Sequence, residues 1–123
     1  MENNYQTTYL LSSLTGKLRR EQSKFRAMLL TQPAPYILNR AEEYAVREKI
    51  IACISCDILS LNQIIALLNE PHPLRRIYER ISALELIAIN ELIGAIFEEA
   101  NASINQDTVR EAIEMLDFSD DDI

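Results

Sequence analysis

Residues 10–33 read LLSSLTGKLRREQSKFRAMLLTQP, and both the periodicity of this stretch and the way it ends decide the fold class. Leu11, Leu14, Leu18, Phe25 and Met28 or Leu29 recur at helical steps, which gathers them on one face of a helix. Gly16 lies inside the pattern and costs about 1 kcal/mol relative to alanine in a helix interior. Pro33 turns Gln32 away from helical angles, so the helix is expected to stop near Thr31.

The same logic carries down the chain. Pro35 suits the first turn of a second helix, where its missing N–H is no loss. Ile37, Leu38, Ala41, Tyr44, Ala45, Ile51 and Ala52 form the expected inner stripe, with Arg40, Glu43, Arg47 and Lys49 outward. Glu43 and Arg47 stand four apart in the favourable order for an ion pair. Ser60-Leu61-Asn62-Gln63 reads as a capping box opening a short third helix. Its buried side is Ile64, Ile65, Leu67 and Leu68, and Pro71 limits it.

Pro71-His72-Pro73 is a rigid turn. A fourth helix is expected from about Leu74 to Asn101, apolar nearly all round from Ala83 to Phe97 apart from Glu85, Asn90, Glu91 and Gly94. A helix apolar on every side has to be buried on every side, which predicts a central helix that is also a homodimer surface. Asp107 or Thr108 caps a last short helix carrying Val109, Ile113 and Leu116, and Asp117–Ile123 reads as a disordered acidic tail. The expected fold is all-α, a compact bundle of four to five helices with one long, highly apolar fourth helix. Residues 1–116 form the single domain and residues 117–123 the tail.

Composition agrees. The 123 residues suffice for one domain, are 48% hydrophobic and 25% charged, and include only two Gly and no Trp, which disfavours a turn-rich β architecture. No apolar run reaches a membrane span of roughly 18 residues, and the opening MENNYQTTY has no signal-peptide character. Two cysteines make no disulfide framework, so a cytoplasmic location is expected. The net charge is −7, with eleven of the twelve basic residues before position 81 and a net −10 after it. A uniformly acidic protein is a poor general binder of nucleic acid, but such polarity can orient a partner.

Few residues suggest chemistry. Cys53-Ile54-Ser55-Cys56 has metal-motif spacing, yet a structural zinc needs four ligands and His72 is the one histidine. Two small apolar residues at a helix end are the simpler reading. No Gly-rich phosphate loop, HExxH or GxSxG occurs, so no catalytic residue, metal or cofactor is expected. His72 as a general base competes with its plainer role between two turn prolines. A pocket uniting Glu48, His72 and Tyr78 around a small molecule would point to an enzyme instead.

Glu48 falls on the Ala41–Ala45–Ala52 face, where a carboxylate needs a partner, and a structural ion pair with Arg26 is expected. Lys17, Arg20 and Lys24 share one side of the first helix as a candidate basic face. No aromatic residues interleave them for base stacking, so a solvated face or a dock for the acidic end is favoured.

Leu18, Glu21-Gln22, Phe25-Arg26, Leu29-Leu30, Gln32-Pro33, Ile37-Leu38-Asn39, Ala41, Glu43-Tyr44, Val46-Arg47-Glu48 and Ile50 form one block of a shared pattern. Ala66-Leu67-Leu68, Pro71, Pro73-Leu74 and Tyr78 form a second. On these residues the chain resembles domain-of-unknown-function family 3848 over about residues 8–98. It departs from the family's usual residues at Ala34, Pro35 and Tyr36, and carries Met28 where a tryptophan is usual. The resemblance implies a small helical protein of Firmicutes, often carried on mobile or conjugative elements, and supplies no activity.

The expected function is non-catalytic protein–protein interaction, as an accessory or regulatory factor of a bacterial mobile element. Asn39, Glu43, Tyr44 and Arg47 form the candidate interaction surface, and the acidic tail with Phe118 a second one. The partner is an unidentified protein together with a second copy in a homodimer, with no membrane and no nucleic acid expected. One alternative is a nucleic-acid-associated regulator using the basic face. Another is an acidic inhibitor of a host defence nuclease, which the −10 segment would serve by imitating phosphates.

Overall fold

A computed structural model describes residues 2–56, 58–84 and 88–104, with side chains from residue 6 onward. Five helices and no strand occur among the described residues: α1 Glu2–Leu29, α2 Ala34–Ser55, α3 Leu61–Leu68, α4 Pro73–Leu84 and α5 Ile89–Ser103. The all-α expectation holds. The final short helix and the tail from Asp117 lie outside the described residues.

α1 stops at Leu29, and Thr31 and Gln32 fold their amides back onto the carbonyls of Met28 and Leu29 before Pro33 starts the next helix. Pro33 sits at the N-cap with extended backbone, and Pro35 occupies the first turn as expected. The Ser60 capping box is present in full. The Gln63 amide donates to Ser60 Oγ at 3.3 Å, and the Ser60 amide donates to Gln63 Oε1 at 2.7 Å. Gln63 Nε2 also donates to Asn101 Oδ1 at 2.5 Å, tying the start of α3 to the end of α5.

The core runs between the helices. Leu14 and Leu18 of α1 meet Ile50, Ile51 and Ile54 of α2, Ile64 and Leu67 of α3, Leu74 and Ile77 of α4, and Ile96 and Ala100 of α5. Each fully buried Leu or Ile contributes about 1.5–3 kcal/mol over its exposed state.

Two expectations are corrected. The long fourth helix is two helices, α4 and α5, with residues 85–87 outside the described set. α4 buries Leu74, Ile77 and Ile81, while α5 buries Leu92, Ala95, Ile96 and Ala100. The run Ala83–Phe97 looked apolar all round because it joins the end of one amphipathic helix to the start of another. Ala83, Leu84, Ile89 and Phe97 are exposed, so the burial argument for a dimer through one central helix loses its premise. The inner face of α2 also differs. Its buried residues are Glu43, Arg47, Ile50, Ile51 and Ile54, while Leu38, Ala41, Ala45 and Ala52 face solvent.

Candidate functional site

α2 turns a charged pair into the bundle. Glu43 is 7% exposed and Arg47 5%, so the outward placement of both is corrected. Arg47 Nε and Nη2 donate to Glu43 Oε2 at 3.0 and 2.7 Å, and Arg40 Nη1 donates to Glu43 Oε1 at 2.9 Å. The Arg47 guanidinium lies 4.1 Å from the Phe25 ring centre of α1 and 5.7 Å from that of Tyr78 of α4. A cation between two aromatic faces gains quadrupole attraction that offsets part of its desolvation. The hydrogen bond to Glu43, followed by the field of Tyr36, holds the Arg40 guanidinium above its ordinary value.

The four residues expected to form one polar surface therefore separate. Asn39 is exposed, Tyr44 is half-buried, and Glu43 and Arg47 lock α1, α2 and α4 together. Their spacing carried the signal, because positions 43, 47, 50 and 54 share one helical face with two isoleucines.

Glu48 takes its hydrogen bond from Gln22 and forms no ion pair with Arg26, which corrects that expected pairing. Gln22 Nε2 donates to Glu48 Oε1 and to the Tyr44 carbonyl, both at 3.1 Å. Arg26 is exposed and serves a different feature. Together with Leu29, Leu30, Ile37, Ala41 and Tyr44 it lines an open apolar hollow of about 200 Å³ across the Pro33 turn. Leu30 in its lining is 67% exposed, and Leu38, next in sequence to Ile37 of the lining, is 74% exposed. This surface escaped the sequence reading because its walls come from two helices, and it forms only when the turn brings them together.

The basic face also divides. Lys17 Nζ donates to the carbonyls of Leu68 and Glu70, both at 2.6 Å, and so complements the C-terminus of α3. Arg20 and Lys24 remain exposed. Glu21, one turn from Lys17, accepts the Leu74 and Arg75 amides at 2.9 Å each and caps α4 from outside that helix.

His72 is exposed and lines a polar hollow of about 300 Å³ with Glu70, Pro71, Arg75, Arg76 and Glu79. Arg76 Nη1 donates to both Glu70 oxygens at 2.8 and 3.0 Å, and its Nε donates to Glu99 of α5. The Glu99 hydrogen bond raises the Arg76 guanidinium against the opposing effect of burial. Neither hollow unites Glu48, His72 and Tyr78. Cys53 is half-buried and Cys56 exposed, both as free thiols, and burial followed by the nearby Cys56 pushes the Cys53 thiol up. No group of three His, Cys, Asp or Glu side chains that could hold a metal occurs among the described residues. No described helix is long and apolar enough to cross a membrane.

Residues 10–104 match the family described as "Protein of unknown function (DUF3848)", in agreement with the resemblance over about residues 8–98. No curated protein and no solved structure matches the chain.

Proposed function

The chain belongs to the DUF3848 family, and from that premise we propose that it is a non-catalytic protein–protein interaction module, docking its partner on the outer side of the α1–α2 hairpin. The observation that carries this reading is the apolar hollow lined by Leu30, which is 67% exposed, with Leu38, 74% exposed, next in sequence to Ile37 of its lining. Burying either leucine under a partner is worth about 1.5–3 kcal/mol. Arg26 lines the same hollow and offers a charge-assisted donor, so the fitting partner presents an apolar side chain beside a carboxylate. In the mobile-element setting that the family resemblance implies, the module serves as an accessory or regulatory factor. A cytoplasmic setting belongs to the same proposal and accords with the free thiols of Cys53 and Cys56.

Self-association is the second reading. The open face continues along α2 through Ala41, Ala45 and Ala52, and a two-fold axis across α2 would let two copies bury it against each other.

The test compares the full chain with a Leu30→Asp/Leu38→Asp variant by affinity capture and by light scattering. One dominant protein partner, or a dimer mass, that the variant loses while keeping its helical signal supports the proposal. Undiminished binding by the variant overturns it. Salt-sensitive nucleic acid, released when Arg20 and Lys24 are neutralised, would favour the nucleic-acid alternative. Nuclease inhibition that weakens on deleting residues 117–123 would favour the acidic inhibitor.

A further inference from the structure

The outer face of α2 carries a heptad pattern from one end of the helix to the other. Ala34, Leu38, Ala41, Ala45, Glu48, Ala52 and Ser55 step alternately by four and three, and every one of them is exposed. That spacing is the one at which two helices pack along each other. Ala41 belongs both to this seam and to the lining of the apolar hollow, so the two form one continuous surface.

The charges beside the seam say what fits it. Glu42 and Lys49 lie on one flank, exposed, opposite in sign and seven residues apart, and neither forms an ion pair among the described residues. Two helical turns, roughly 10 Å, keep them from pairing within one helix. On the other flank Arg26 of α1 is exposed and forms no ion pair among the described residues, while Glu48 accepts only from Gln22.

Both flanks are complementary to themselves under one operation. A two-fold axis between positions 45 and 46 lays a second α2 antiparallel along the seam. Glu42 then comes level with the second copy's Lys49, and Lys49 with the second copy's Glu42. The second copy's Glu48 comes level with Glu43, the height at which Ala41 and Tyr44 line the hollow with Arg26. It is the carboxylate for which the hollow's arginine has room. Leu38 falls at the height of the second copy's Ala52 and Ser55, large against small. Parallel pairing would instead set Glu42, Glu48 and Lys49 each beside its own like charge.

We propose that the occupant of the hairpin face is a second copy of this chain, packed α2 on α2 in antiparallel register, with Glu42–Lys49 and Arg26–Glu48 pairs exchanged across the two-fold axis. This rests on the hairpin face being a docking surface and names what docks there. Burial of Leu38 and the hollow holds the copies together, and the rim charges fix direction and register.

The test is sedimentation of the full chain over a dilution series. Wild type should dimerise reversibly. Glu42→Lys and Lys49→Glu should each weaken the dimer by roughly tenfold or more, since each sets like charges opposite each other twice. Glu42→Lys/Lys49→Glu should restore it to within about threefold, because the pairs re-form in reverse. Both positions are exposed, so the variants should keep the wild-type helical signal. As a second readout, Ala45→Cys in a Cys53→Ala/Cys56→Ser background should oxidise to a disulfide between chains, with the exposed Glu79→Cys of α4 as the unreactive control. A chain that stays monomeric at every concentration overturns this inference and leaves the hairpin to a different protein, which the capture experiment reads. A dimer indifferent to the single charge changes, or one that the double change fails to restore, overturns it too.

Discussion

Lys17 and Glu21, one turn apart on α1, grip the two sides of the turn between α3 and α4. The ammonium takes the last carbonyl of α3, at Leu68, and that of Glu70 just past it, and the carboxylate takes the first free amides of α4. Each charge meets the helix end of opposite sign, so one short stretch of α1 fixes the angle between two later helices. Pro73 has no amide to offer, which leaves Leu74 and Arg75 as the donors that need an acceptor.

Glu21→Ala should lower stability by about 1–3 kcal/mol by orphaning two amides, and Lys17→Met by about 1–2 kcal/mol. Urea unfolding should show a lower midpoint at an unchanged slope for both. Arg20→Met, which removes an exposed cation on the same helix, should stay within about 0.5 kcal/mol of wild type. A loss as large in Arg20→Met as in Glu21→Ala would refute the capping account.

Glu43→Ala should cost about 3–5 kcal/mol, because it leaves the buried Arg47 charge without its partner, and Arg47→Ala should cost less, because Arg40 still pairs with Glu43. Replacing both with Leu and Met should recover much of that loss, a coupling that a double-mutant cycle measures directly. Purely additive losses would mean that the pair does not act as a unit.

Ser60→Ala should cost about 0.5–2 kcal/mol through its lost acceptor for the Gln63 amide. Gln63→Ala should cost more, since it also breaks the bond to Asn101. Thermal unfolding ranks the two, and the reverse order would contradict the link between α3 and α5.

Alkylation should find Cys56 before Cys53 at neutral pH, because Cys56 is exposed and Cys53 is half-buried with its thiol pushed up. A raised folded-state value means that Cys53 holds its proton longer folded than unfolded. Its contribution to stability is therefore complete below the ordinary thiol range and is lost as pH rises through the raised value. Mass spectrometry against pH checks the order, and equal rates at both thiols would count against it.

Much of the fold was legible because its signals are local. Pro33 ends one helix and begins another by fixing dihedral angles, and Ser60 with Gln63 marks a helix start within four residues. The face of α2 was not legible from apolar spacing alone. The alanines that looked like an inner stripe are exposed, and beside Ile50, Ile51 and Ile54 the side chains that face inward are a glutamate and an arginine whose charges cancel. The split between α4 and α5 was hidden because each helix buries a different face, and the joined run shows apolar residues on both. Glu48 was read as a carboxylate on an inner face that needs a partner, but it is exposed together with Ala41, Ala45 and Ala52, and its hydrogen bond comes from Gln22, a neutral side chain four positions before Arg26. The hollow beside Leu30 and Leu38 depends on the fold back at Pro33, which no single-helix pattern contains.

The cap that α4 borrows from α1 has a consequence for synthesis on the ribosome. Glu21 precedes Leu74 by 53 residues, so at roughly 5–20 residues per second it emerges about 3–10 s before the amides it will hold. During that interval Lys17 and Glu21 have neither helix end to meet, and water takes the place of α3 and α4 around them. The cap of α4 is therefore complete only once residues on both sides of that 53-residue separation are out of the tunnel, so α4 gains its outside acceptor late in synthesis.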